Sequence, residues 1–280
     1  MIRRDILLAD AVPRWLLVSQ IEHARLSFLL AERCLSHFGR AVFPGADPIA
    51  VRRVRNELLQ AIARHDDGWA DWEARPGLDP KLHRPLSFRE LPLGEAIANW
   101  AGSIRSAANV GPLAAWMVAG HFAALLEVSE KEHDEAQATN WLAQTADQRA
   151  VWLADWQALN PRLHSAQLAE AALAWLQAFD FLSLWLCSVC PAGGEIVSHW
   201  PDGYHIGPSK PLDTRIRPDH ASDHSVRTTV IVDPWRFDAP ELTIEAAAHV
   251  VPARGYRDTA ELLAAYQPHQ LRWRLAPSVS

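Results

Sequence analysis

Three histidines and two aspartates, His23, His65, Asp66, His121 and Asp180, stand where helical periodicity calls for apolar side chains. A buried imidazole or carboxylate is costly unless it is hydrogen-bonded, paired or bound to a metal. Spread over four segments, the five residues offer enough nitrogen and oxygen donors for one or two divalent transition-metal ions. That donor set suits Fe, Mn, Zn, Co or Ni better than Mg or Ca, which favour all-oxygen shells; Fe or Mn is the favoured occupant and Zn a further candidate. The doublet His65-Asp66 is the most informative pair. Consecutive helical residues sit about 100° apart, so both reach one centre only from the edge of a core stripe. Gln20, one turn before His23, is placed to orient a ligand or a water. Asp67, next to the doublet, is placed to act as a general base. These two complete the candidate catalytic set. Each residue also has a plainer reading as a hydrogen-bonded polar group in a core.

The elements that must position these residues read mostly as helices. A first helix is expected over 13–37, opened by Pro13 and stopped by Gly39, with Leu16, Gln20, His23, Ser27, Leu30 and Cys34 on one stripe. Asp47 caps and Pro48 opens a second, whose stripe runs Val51, Val54, Leu58, Ile62, His65. Residues 70–95 carry four prolines and no helical period, which suits a lid, a substrate-binding wall or a packed surface loop. Helices follow over 95–108, from Gly111-Pro112 with Leu113, Met117 and His121 aligned, over 131–158, and from Ser165 to about Cys190 with Leu168, Ala172, Leu176 and Asp180 on one side. Beyond Pro191 the pattern changes to period two: strands at 228–232, at 242–250 with Leu242, Ile244, Ala246, Ala248 and Val250 alternating, and around 270–275, with a short helix over 258–266. The expected fold is mainly α: a helical metal-binding bundle over 1–190 and a small C-terminal α+β extension over 191–280 packed on it.

Composition narrows the function classes. Apolar residues make up 49% of the 280 and charged residues 21%, enough for a sizeable core. The net charge of −6, without any block of five basic residues, argues against nucleic acid or an anionic membrane surface as partner. No 18-residue apolar run and no secretory h-region is visible, so a cytoplasmic protein acting on a small-molecule substrate is expected, with a homo-oligomer possible in principle. Cys187 and Cys190 form a CxxC without the second pair a structural zinc site needs. No phosphate-binding loop, nucleophile elbow or HExxH is present.

The order His23 … His65-Asp66 … Asp180 resembles the HD-domain superfamily, whose metal ligands follow His … His-Asp … Asp on separate helices. On that resemblance the bundle is HD-domain-like, and His121 occupies the place of the extra histidine typical of two-metal members, with His133 and His164 also available. The continuation Asp67-Gly68-Trp69 departs from the apolar-Gly pattern more usual there. The chain also resembles a bacterial domain-of-unknown-function family, family 3891. The matching pieces are Ser19-Gln20-Ile21-Glu22-His23-Ala24, His65 to Trp69, Pro76-Gly77-Leu78-Asp79 with Pro85-Leu86-Ser87-Phe88, His121, Asp180 to Leu184, and Asp233 to Phe237. The superfamily resemblance implies a metal-dependent hydrolase of a phosphoester or related bond. Alternatives are an HD-type di-iron oxygenase acting on a small polar substrate and a non-catalytic ligand-binding protein.

Overall fold

Residues 13–18, expected to start the first helix, form a strand, paired with another over 2–7. In the computed structural model, which describes residues 1–7, 12–35, 47–129, 135–188, 196–200, 212–218 and 228–278, β1 (Ile2–Leu7) pairs antiparallel with β2 (Pro13–Val18). The helices follow: α1 (Gln20–Cys34), α2 (Pro48–Arg64), α3 (Ala70–Ala74), α4 (Leu93–Ala108), α5 (Pro112–Glu127), α6 (Glu135–Leu159) and α7 (Ala166–Ser188). Then come β3 (Ile196–Trp200), β4 (Leu212–Pro218), β5 (Thr228–Asp233), β6 (Leu242–Pro252), the short α8 (Thr259–Ala264) and β7 (Gln267–Pro277). The strands make one seven-stranded mixed sheet in the order β1-β2-β6-β7-β5-β4-β3, antiparallel throughout except for β5 against β7.

The fold is therefore α+β, and the mainly α, HD-domain-like bundle with a small extension is corrected. The physical reason lies in two apolar runs. Leu16-Leu17-Val18 reads equally well as a helical stripe or a buried strand, and short apolar runs do not decide between the two. Its partner supplies the answer: β2 pairs through Arg14 to Leu17 with Pro252 to His249 of β6, more than 200 residues away in the chain. The helix proper starts one residue after Ser19, whose hydroxyl accepts from the Glu22 amide at 2.9 Å and satisfies the first turn. The stop expected at Gly39 lies outside the described residues, as does Cys190.

In β6 the residues Leu242, Ile244, Ala246, Ala248 and Val250 are buried and alternate with more exposed neighbours. They share one continuous core with Leu26 and Leu30 of α1 and with Leu176 and Phe179 of α7. Where the β2 pairing ends, α1 takes over the β6 edge: Glu22 Oε1 accepts from the Ala247 amide at 2.6 Å and Arg25 donates to the Glu245 carbonyl at 2.7 Å. Arg25 also pairs with Glu22, so it is an anchor of α1 on the sheet. Helix α7 is long and apolar enough to cross a bilayer by composition, yet two thirds of its apolar window is buried inside the fold.

Helix α5 is fixed through its N-terminus. Gly111 has no side chain to cap it, and Glu57 of α2 reaches across to accept from the Leu113 and Ala114 amides at 2.8 and 3.3 Å. A Cβ on Gly111 would lie 2.3 Å from that carboxylate. This contact sets the register of α5 against α2 and so the height at which His121 meets His65.

Candidate metal centre

His23 sits one turn into α1, His65 and Asp66 at the turn where α2 ends, His121 in α5 and Asp180 in α7. All five are buried, with relative exposures from 0% for His23 and His65 to 6% for Asp180. Their polar atoms converge. Asp180 Oδ1 lies 2.9 Å from His23 Nε2 and 3.2 Å from His65 Nε2, and the two Nε2 atoms are 3.3 Å apart. Asp66 Oδ2 stands 3.6 and 3.5 Å from the same nitrogens. His121 Nε2 is 3.8 Å from Asp180 Oδ1. Ligands about 2.1 Å from one ion stand about 3.0 to 3.4 Å from each other in octahedral or tetrahedral geometry. The His23 and His65 nitrogens stand at nearly those separations from each other and from one oxygen each of Asp66 and Asp180. The buried His/Asp cluster can hold a metal ion.

The back side of the cluster fixes which ring nitrogens face inward. His65 Nδ1 lies 2.7 Å from the Ile62 carbonyl, which only accepts. His65 therefore donates from Nδ1, and its neutral form keeps the lone pair at Nε2, toward the cluster. His23 Nδ1 lies 2.6 Å from Ser183 Oγ, and that hydroxyl donates to the Asp180 carbonyl at 2.9 Å. With a cation in the centre the serine oxygen can accept from His23 Nδ1–H and leave Nε2 for the ion; without one, the Asp180 carboxylate at 2.9 Å accepts from His23 Nε2–H. Ser27 braces the serine at 2.7 Å. Such outer partners set the tautomer and ring orientation of metal-binding histidines.

Without a cation the cluster is electrostatically strained. Burial alone would lower the pKa of His65, but Asp66 and Asp180 outweigh it and raise it to about 9. Burial pushes Asp66 above the usual carboxylate range, the histidines opposing it. Asp180 touches the imidazoles more closely and is held well below that range although burial opposes it. His121 goes the other way: burial lowers it to about 4.

The cluster forms the floor of a cavity of about 530 Å³. Gln20, Asp66, His121 and Asp180 are its polar end. The walls come from the segment 88–94, from Trp100 of α4 and from Phe122 and Leu125 of α5, with Trp100 and Phe122 stacked at 5.3 Å. Part of the proline-containing stretch over 70–95 is thus cavity wall. It is tied to β1 by Arg3, which grips both oxygens of Glu90 at 2.9 and 3.0 Å, while Arg84 reaches the same carboxylate at 2.7 Å.

Of the residues expected from the sequence, the structure brings together His23, His65, Asp66, His121, Asp180 and Gln20. It does not bring Asp67 to them. Asp67 Oδ2 accepts from Ser106 of α4 and lies 3.7 Å from Arg64. The next residue explains this: Gly68 packs so closely on α4 that an added Cβ would meet the Asn99 carbonyl at 1.9 Å, turning the Asp67 side of the loop toward that helix. His164 stacks on Trp156 and bonds its carbonyl at 2.6 Å. His133 lies outside the described residues. Ser27, on the His23 stripe, carries no role in the sequence pattern and Ser183 does not stand out from it, although the signal is present: Ser183 is three residues after Asp180 and Ser27 four after His23, so each shares a helix face with a ligand.

No curated protein and no solved structure matches the chain. A family model described as "Protein of unknown function (DUF3891)" matches residues 6–253, from β1 to the end of β6, so that all five clustered residues and the cavity walls fall inside it. The chain belongs to that family.

Proposed function

We propose that the protein is a metal-dependent hydrolase of a small molecule, built on one divalent transition-metal ion held by His23, His65, Asp66 and Asp180. The observation that carries this reading is the convergence of two Nε2 atoms on two carboxylate oxygens while both Nδ1 atoms are tied back. Two facing imidazole lone pairs and two carboxylates call for a positive charge between them. One ion is favoured over two because the donors share a single centre: His65 belongs to both triads. The order of the ligands along the chain supports hydrolysis through the resemblance to HD-domain enzymes. When bound, the ion supplies Lewis-acid polarisation of the scissile group and activation of water. The chain's own residues do the rest. Gln20 offers an amide at the polar end of the cavity to orient the reacting group. His121, neutral at physiological pH, presents a ring proton for hydrogen bonding. The walls keep bulk water from the floor.

A second reading, an iron-dependent oxygenase, is favoured by the enclosed apolar walls. Elemental analysis of the purified protein, with the His65→Ala variant beside it, tests the site. About one transition-metal ion per chain, lost in the variant, is expected. No ion after reconstitution, or full occupancy in the variant, overturns the assignment. Oxygen uptake on substrate turnover would replace the hydrolase by the oxygenase. The acidic net charge supports a small-molecule substrate in the cytoplasm over nucleic acid or membrane.

A further inference from the structure

The cavity above the cluster is chemically lopsided. Its floor holds two carboxylates, and a divalent ion among them leaves no surplus positive charge. The walls are mostly apolar: Trp69, Phe88, Leu91, Trp100, Phe122 and Leu184 face the same space, with the buried indole N–H of Trp69 also lacking a hydrogen-bond partner. Among the described residues Arg89 is the one cationic side chain on the lining; it is exposed and lies 5.5 Å over the Phe88 ring. A phosphate dianion or a nucleotide polyphosphate brought to this floor would lose its hydration without cations to replace it. Two polar groups at the floor are nevertheless unmatched. Gln20 Oε1 and His121 Nδ1 are buried and have no hydrogen-bond partner. A buried polar atom without a partner is unusual enough to point to a missing one, and both residues line the cavity.

We infer that the substrate is an amphiphile: a neutral or singly charged oxygen-bearing head, such as a carboxylic ester or acid, seated at the floor between Gln20 and His121, with a hydrocarbon body filling the walled part of the cavity. The head's position rests on the metal reading above; the body's does not. In this arrangement the walls bind the part of the molecule that does not react, and the head alone meets the polar groups.

Straight-chain carboxylates of four to ten carbons and a nucleoside monophosphate, titrated calorimetrically into metal-free and Mn-loaded protein, test the inference. Affinity is expected to rise roughly fourfold per methylene until the cavity fills, in both forms, with the loaded protein binding tighter at every length. Leu125→Glu, at a wall position that is 42% exposed and tolerant of a polar side chain, is expected to flatten the chain-length series. An affinity independent of chain length in wild type, or a nucleotide that binds tighter than the eight-carbon acid, overturns the inference. A chain-length series whose affinities are no tighter in the Mn-loaded than in the metal-free protein leaves the apolar body standing and removes the metal from the head site, so the two readings fail separately.

Discussion

The two sides of the cluster are built differently. On the side formed by α1, α2 and α7, every inward-facing ring is held from behind: His23 by Ser183, His65 by the Ile62 carbonyl, with Ser27 bracing the serine. On the side formed by α5 and the first turn of α1, His121 and Gln20 are equally buried, yet His121 Nδ1 and Gln20 Oε1 have no partner. Rigid, satisfied donors suit a ligand that must be met with fixed geometry, as a metal ion is. Unsatisfied polar groups, such as the Gln20 amide oxygen and the His121 ring nitrogen, suit a ligand that comes and goes. On the reading proposed above, the contrast divides the cluster into His23, His65, Asp66 and Asp180 for the ion and His121 and Gln20 for the substrate, although His121 also stands with His65 and Asp180 as a possible ligand set.

The largest test of that division is affinity for metal. His65→Ala should weaken binding by at least about a thousandfold, about 4 kcal/mol, measured by competition with a chromophoric chelator. His121→Ala should weaken it by less than about tenfold. Equal losses in the two variants would erase the contrast and make His121 a full ligand.

The pH dependence of the metal-free protein separates the same two sides. His65 is raised from 6.5 to about 9, so its contribution is fully present below pH 6.5 and is lost as pH rises from there to about 9; the change amounts to about 3 kcal/mol. His121 is lowered from 6.5 to about 4, so below pH 6.5 the unfolded chain takes up a proton that the folded one refuses. Stability then falls as pH drops toward 4. Thermal unfolding against pH should show both arms. His121→Asn should shrink the acid arm, to which His164, His249, His269 and Asp180 also contribute, and leave the alkaline one; added metal, which takes the place of the proton on His65 Nε2, should restore stability at alkaline pH.

Much of the candidate site was legible from sequence because a helix repeats every 3.6 residues and a polar residue on its apolar stripe stands out. His23, Asp180 and His121 were visible for that reason, and the β6 alternation of Leu242 to Val250 for the equivalent reason in strands. The mixed sheet as a whole was not legible, because its pairing is non-local: nothing in Arg14 to Leu17 announces a partner at His249 to Pro252. The helix start was misplaced for a related reason. Pro13 suits the first turn of a helix as well as the first residue of a strand, and Ser19 followed by Glu22 was the better signal. The apolar walls were also hidden, since residues 88–94 reach the cavity through tertiary contacts rather than through any period of their own.

The hydrogen bonds behind the histidines should matter less than the ligands and more than the surroundings. Ser183→Ala removes the acceptor of His23 Nδ1–H and lets the ring turn; metal affinity should fall about ten- to a hundredfold. Ser183→Thr keeps the hydroxyl, and metal affinity should recover if its methyl is accommodated between α1 and α7. An unaltered affinity in Ser183→Ala would mean that helix packing alone holds His23.

The smallest effect is expected at Asp67, and it sharpens the comparison because Asp66 is its neighbour. One residue apart just past the end of α2, the two carboxylates are sent to different places: Asp66 to the histidines, Asp67 to Ser106 of α4 and Arg64 at the end of α2. Gly68 packs against α4 so closely that a Cβ there would meet the Asn99 carbonyl at 1.9 Å, and this contact holds the turn on that helix. Asp67→Asn should therefore leave metal stoichiometry and affinity unchanged and cost up to about 1 kcal/mol in stability, the worth of a partly exposed hydrogen bond. Denaturant unfolding and metal titration on the same sample measure both. A loss of metal affinity like that of Asp66→Asn would show that the turn moves in solution and that Asp67 reaches the centre after all.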